Sequence, residues 1–349
     1  MASISCLNNY PLGLMLARAT TGESPGQHAW GVDFLAERHH VQLAPFHEPG
    51  ERNRLERLSA RLGWRCGQLD QELWALARSS DVIYAADQYS LRGIALLKPW
   101  IHSRLVSVIH HPVDGRRSIR RATFGHDHLA CLSVQLASEM VDLGVPAWKV
   151  TTVSWGPDLR SPLYRDPRDE GIVVSAGKSN RDLSTLVQAL AKTGDRARVY
   201  DLDAEIKAAP GNVELVRSGG PGLDPNSPAT YLASTVIAEI RRASIVAVSA
   251  IDSGRLTGLT EVNDALALGK PIIMTRSPYM PVDVEAVGCG IGVDMGDVQG
   301  WIDALSELSD PTVRAEMGAN GRRYAEREWN YALFVKQLEA VLTELSAAE

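Results

Sequence analysis

Three loops carry the residues whose types and spacing can do chemistry. In GLTEVNDALALGKPIIMT, residues 258–275, a glycine turn enters a short amphipathic helix that stops at glycine before an apolar strand. Gly258 lets the backbone approach a ligand, Thr260 is placed to cap the helix, and the free first-turn amides favour a phosphate. Asp264, one turn in, suits the two hydroxyls of a ribose; alternatively Glu261 and Asp264 simply answer the helix dipole. In SAGKSNRDLSTLVQAL, residues 175–190, Gly177 makes a turn that presents Lys178 and Arg181, and Asp182 is the expected N-cap of a helix from Leu183. Two cations beside a helix N-terminus suit a diphosphate, although solvated side chains on a surface turn would read the same way. In LVSVIHHPVDG, residues 105–115, an apolar strand ends at His110 and His111. Either imidazole can bond a sugar hydroxyl or move a proton near neutral pH, and structural histidines are equally common at strand ends.

These loops need strands and helices to hold them. Short apolar strands alternate with helical patterns along the whole chain, which predicts parallel sheets covered by helices. The first half offers SISCL, VQLAPF, DVIYAA, RLVSVIH, LACLSV and KVTTVSW as strands, and the second offers GIVVSAG, RARVYDL, NVELVR, SIVAVSA and PIIMT. Between the halves, GPDLRSPLYRDPRDEG at 156–171 has no apolar period and reads as a linker. The stretch from Asp310 onward is helical by pattern, interrupted around Trp329 and Tyr331. The expectation is an α/β chain of two Rossmann-like doubly wound domains, with ligands at the carboxyl ends of the strands in a cleft between them. The glycine-bearing loop TTGESPGQHAWG at 20–31, with Gly26, either lines the acceptor side or is a helix entry.

Composition narrows the function classes. The chain has 349 residues and a net charge of -6, with its one basic cluster in GRRSIRR at 115–121, so nucleic acid is a poor partner. That basic run suits an anionic acceptor or lipid headgroups, or is a solvated loop. The four cysteines, Cys6, Cys66, Cys131 and Cys289, lack metal or disulfide spacing, which fits a reduced cytoplasm. No basic leader precedes the first apolar residues, and no run approaches the roughly 18 apolar residues of a spanning helix. The expectation is a cytoplasmic protein with at most a peripheral membrane contact.

In order and spacing the chain resembles the GT-B glycosyltransferases of the family 4 group. VVSAGKSNRDLSTLVQAL resembles that family's strand, glycine, cation and helix segment, and GLTEVNDALALGKPIIMT its nucleotide-sugar loop and helix. VGCGIGVDMGDVQGWIDALSEL and MGANGRRYAEREWNYALF resemble its C-terminal run, while DVIYAADQ, VIHHP and KVTTVSWGPD agree more weakly in the first half. The resemblance implies a GT-B fold: an acceptor domain over 1–158, a donor domain over 165–327, and a C-terminal helix, 328–349, crossing back to the first domain.

It also implies transfer of a sugar from a nucleotide-diphosphate donor to a small-molecule, glycan or lipid-linked acceptor, with retention and without a metal or other cofactor. Carried over by position, Lys178 and Arg181 neutralise the diphosphate, Gly258, Leu259 and Thr260 offer amides to phosphate and sugar, and Asp264 takes the ribose. His110 or His111 would position the acceptor or sugar. The family's two glutamates, separated by seven residues, fall here on Leu256 and Asp264, so the carboxylate near the donor sugar is missing. A nucleotide-sugar epimerase of the same fold is the alternative. GCGIG at 288–292 does not open a helix after a first strand, which counts against a dinucleotide dehydrogenase, and the missing leader counts against a two-lobed solute-binding protein.

Overall fold

The computed structural model describes residues 1–46, 69–113, 117–177, 180–217, 233–251 and 254–347. The chain divides into two compact units, one of residues 1–17, 26–155 and 331–349, the other of residues 18–25 and 156–330.

The first unit holds β1 (Ser3–Leu7), β2 (His40–Leu43), β3 (Val82–Ala85), β4 (Arg104–Ile109), β5 (His128–Cys131) and β6 (Val150–Thr152). They form one sheet in the order β2-β1-β3-β4-β5-β6, every pair parallel. β3 and β5 are buried at every position because both faces of the sheet are covered, which is why β3 reads as an unbroken apolar run and β5 shows no alternation. The expected helix over GQHAWGVDFLAER is broken. Gly26–Ala29 forms a 3-10 turn, Trp30 and Gly31 both take positive φ (53° and 85°), and the α-helix starts only at Val32. The helix Tyr331–Ala347 belongs to this unit: the Tyr331 hydroxyl accepts from Gly31 N at 2.8 Å and donates to Asp33, and Phe334 and Leu338 pack at Gly31.

The second unit holds β7 (Val173–Ser175), β8 (Ala197–Tyr200), β9 (Val213–Val216), β10 (Ile245–Val248), β11 (Ile272–Thr275) and β12 (Gly290–Val293). Its sheet, also parallel throughout, runs β12-β11-β10-β7-β8-β9. The sequence reading missed β12, whose GIGV lacks bulky residues for a physical reason. A side chain at Gly290 would collide with the carbonyl of Ile272, and one at Gly292 with Glu285 and Arg276. The helix start at Leu183 with Asp182 as its N-cap is as expected: Asp182 accepts from Thr185 N at 3.2 Å, and Gly194 ends the helix Leu183–Thr193 with φ 77°.

Each sheet reverses its winding once. The chain steps from β7 outward through β8 and β9, then returns to add β10 on the other side of β7. Such a switch point leaves a crevice at the carboxyl ends of the two central strands, because their following loops turn away in opposite directions. In this unit the crevice is bounded by the loops after β7 and β10; in the first unit it is bounded by those after β1 and β3.

Candidate functional site

At the second unit's switch point the two loops are stitched together. Asp182 N donates to the carbonyl of Ser249 (2.9 Å), Ile251 N donates to that of Asn180 (3.0 Å), and Arg181 forms an antiparallel bridge with Ala250. This pairing turns the Arg181 side chain inward, where it is only 8% exposed. Its guanidinium lies against two glycines. A methyl group on Gly177 would overlap the guanidinium, and one on Gly258 would lie 3.4 Å from Nη1 and overlap Val248. Both glycines are therefore required by close approach.

Arg181 Nη2 donates to Glu261, and the same carboxylate accepts from Ala176 N at 2.9 Å. Burial pushes the Glu261 carboxyl up, while Arg181 and the amides of Ala176 and Gly177 pull it back, so the carboxylate owes its charge to those partners. Glu261 is thus not a surface residue answering the helix dipole. Arg181 Nε and Nη1 are buried without hydrogen-bond partners, as are the hydroxyls of Ser175 and Ser249 on the adjacent strand ends. Unsatisfied donors gathered at one switch point are groups that an anion can satisfy.

The helix Leu259–Leu268 is capped by Gly258 at φ 86° without a side-chain bond, so Thr260 lies inside the first turn, exposed, rather than capping it. Leu259 is buried. Asn263 accepts from Trp329 Nε1 at 2.8 Å and fixes the far side of the helix. Asp264 is 2% exposed and accepts the Tyr164 hydroxyl at 2.7 Å. Burial raises its carboxyl from 3.8 to about 8, outweighing the Tyr164 bond, so it carries a proton at neutral pH. A ribose would have to replace Tyr164 to reach it. Leu256 is buried, and Lys178 lies outside the described residues.

Replacing Gly258 by alanine tests this packing. The positive φ costs a side chain roughly 1–2 kcal/mol, and the overlap with Val248 adds on the order of 1–3 kcal/mol. The variant's thermal midpoint should fall by several degrees.

In the first unit, His110 and His111 follow β4 and are held by a residue the sequence reading did not single out. Gln88 Oε1 accepts from both backbone N–H groups, at 2.8 and 2.9 Å, and its amide donates to the His111 carbonyl at 2.9 Å. His110 Nε2 lies 2.8 Å from the carbonyl of Ala86, which can only accept, so Nε2 carries the proton and Nδ1 keeps its lone pair. Burial, with His111 adding, lowers His110 to about 3, so the imidazole is neutral at physiological pH. At neutral pH it carries no positive charge and offers Nδ1 as a hydrogen-bond acceptor. Trp30 covers it at 4.6 Å, and Trp155 stacks on Trp30 at 4.6 Å and 12°. Gly26 opens the 3-10 turn beside this stack and is buried; the neighbouring Gln27 carbonyl accepts from Trp155 Nε1 at 3.0 Å. The sequence offered only Gly31 as a signal for this column; the positive φ of Trp30 and Gly31 that breaks the expected helix is seen in the structure alone.

Among the described residues no cluster of His, Cys, Asp and Glu is placed to hold a metal ion, and no helix is long and apolar enough to cross a membrane. No family model matches the chain. Over its whole length it superposes on sucrose-phosphate synthase from Thermosynechococcus elongatus, with a TM-score of 0.71, 16% identity and 100% of both chains covered. The fold is GT-B. The GT-B likeness extends to HepE from Anabaena in complex with UDP, at TM-score 0.64 and 14% identity over 99% of this chain and 100% of that one. The same protein with UDP-glucose gives TM-score 0.63 at 14% identity, over 99% and 100% of the two chains. In sequence, 128 residues are 31% identical to a D-inositol 3-phosphate glycosyltransferase of Corynebacterium efficiens, covering 36% of this chain. The matched stretch spans 28% of that relative's length.

Proposed function

We propose that the protein is a glycosyltransferase that takes a sugar from a nucleoside-diphosphate sugar held by the second unit and transfers it to a hydroxyl of an acceptor. The observation that carries this reading is the Arg181 guanidinium, fixed between Gly177 and Gly258 at the switch point with Nε and Nη1 unpartnered. Solved GT-B structures of HepE with UDP and UDP-glucose support it, because they hold a ligand of this class on the same fold.

In the reaction the bond between the sugar's anomeric carbon and the β-phosphate oxygen breaks, and the acceptor oxygen bonds to that carbon. The acceptor's proton passes to the departing phosphate. Negative charge grows on the diphosphate, and this is where the free N–H groups of Arg181, with amides of the turn entering the helix at Leu259 and Thr260, act. Lys178, three residues before Arg181 in sequence, adds a second cation on this reading. His110, neutral with Nδ1 free to accept, would orient a hydroxyl of the sugar or acceptor rather than donate a proton. Retention of configuration follows if the leaving phosphate is the base on the face of attack; the anomeric coupling constant of the product tests it. The buried, unpaired Cys6, Cys131 and Cys289 support a reducing, cytoplasmic setting.

A thermal-shift panel tests the donor. A nucleoside diphosphate at 100 times its dissociation constant should add about 2.7 kcal/mol, while NAD and free sugars add nothing. Equal stabilisation by NAD would replace this reading with a dehydrogenase. Conversion of donor alone to an isomeric nucleotide sugar would replace it with an epimerase. Turnover should survive EDTA, since Arg181 supplies the cation for the leaving group; activity restored by magnesium or manganese after chelation would refute that part.

A further inference from the structure

We infer that Glu261 is a positioning residue of the donor site, holding the Arg181 guanidinium between Gly177 and Gly258 so that its remaining N–H edges face a phosphate. The inference rests on the donor-site reading above and assigns a role to a residue that reading does not use. Glu261 sits three residues beyond the glycine cap of the helix Leu259–Leu268, where an exposed acidic residue would merely complement the dipole. Instead it points into the unit, with its side chain 4% exposed and that of Arg181 7%.

Three features separate a positioning role from a purely structural one. A buried ion pair repays its desolvation only when further hydrogen bonds satisfy its remaining donors and acceptors. Here Nη2 alone is engaged by Glu261, while Nε and Nη1 remain unpartnered. The carboxylate is itself anchored, accepting from Ala176 N at 2.9 Å, so it fixes the guanidinium relative to the end of β7 rather than moving with it. The two glycines let the guanidinium lie directly against their backbone at the switch point, a placement that any side chain at Gly177 would block. A long, flexible arginine loses affinity for phosphate when it must be ordered on binding; Glu261 orders it beforehand.

The same contacts allow an opposite role, in which Glu261 occupies the anion site until a phosphate displaces it. The two roles differ in sign. Dissociation constants of UDP, GDP and ADP are to be measured for the wild type, Glu261→Gln, Arg181→Met and the double variant, with thermal midpoints alongside. Glutamine keeps an acceptor for the Ala176 amide but turns an NH2 donor toward Arg181. For the diphosphate that binds, Glu261→Gln should weaken affinity about tenfold, equivalent to about 1.4 kcal/mol. Glu261→Asp, with the charge kept and the reach shortened, should recover part of it.

Because Glu261 acts through Arg181, the double variant should bind no more weakly than Arg181→Met alone. Additive losses overturn the inference, and so does tighter binding in Glu261→Gln, which identifies a competing anion. If Arg181→Met does not fold, the sign of the Glu261→Gln change decides by itself, with unchanged or tighter binding against the inference. A wild type that binds none of the three diphosphates overturns the donor-site reading as well, a result separable from additive losses in a wild type that binds.

Discussion

Arg181→Met is expected to lower turnover of a nucleoside-diphosphate sugar by about 10²–10³-fold, the usual consequence of removing one preorganised donor from a developing oxyanion. The measurement is release of nucleoside diphosphate under saturating donor. The loss should exceed any loss of donor affinity, because charge on the leaving diphosphate is greatest in the transition state. The substitution also strands Glu261, buried with only its amide contacts, and breaking a buried ion pair from one side costs on the order of 3–5 kcal/mol. Protonation of the carboxyl recovers part of that cost, at the price of the pair's charge complementarity. Adding Glu261→Gln should therefore raise the thermal midpoint above that of Arg181→Met without restoring turnover. Full turnover in Arg181→Met would move the diphosphate cation elsewhere, with Lys178 first in line.

The strands of both sheets were legible because a parallel sheet covered on both faces demands continuous apolar runs, and VIYA, IVAV and IIMT supply them. β12 was not, since its composition is set by close backbone approach rather than by burial of side chains. Arg181 and Gly177 were legible as a glycine turn presenting a cation after a strand, a pattern that a solvated surface turn shares. Their partner was not: Glu261 lies 80 positions from Arg181, and local pattern offers only the helix dipole as a reason for an acid there. The Thr260 cap failed for a related reason. A glycine in the left-handed region already ends the loop one residue before the helix, leaving no extended residue to cap it. Asp264 was placed on the right helix, yet no local signal could reveal Tyr164, 100 positions upstream, as the group bonded to it. The aromatic column over His110 is equally long-range, assembled from Trp30, Trp155 and a histidine on three separate segments.

That tyrosine contact gives the other large expected effect. Asp264 has an ordinary value of 3.8 and a folded value of about 8, so between those limits the folded state binds more protons than the unfolded one. Stability from this group is fully present below 3.8 and is lost as pH rises through 8. Glu72, raised by burial to about 7, acts in the same direction. Three buried histidines oppose them: His28 and His126 fall to about 4, and His110 to about 3, all from 6.5, so the folded state refuses protons there and stability falls as pH drops below 6.5. The wild type should be most stable near pH 6 to 7, roughly where the histidine limb ends and the carboxyl limb still descends.

Asp264→Asn removes the largest part of the alkaline limb. Asparagine keeps an oxygen for the Tyr164 hydroxyl and cannot ionise. The gap between 3.8 and pH 7 is about 3 units, so the variant should be more stable than wild type at pH 7 by on the order of 4 kcal/mol, less at pH 5. Urea unfolding at pH 5, 7 and 8.5 measures it, and a variant no more stable at pH 7 refutes a protonated Asp264. The same protein reports on the ribose. If the hydroxyls of a ribose replace Tyr164 at this carboxyl, the stabilised variant should bind nucleoside diphosphate about tenfold or more weakly; unchanged affinity assigns Asp264 to the fold and leaves the nucleotide to Arg181 and the glycine turns.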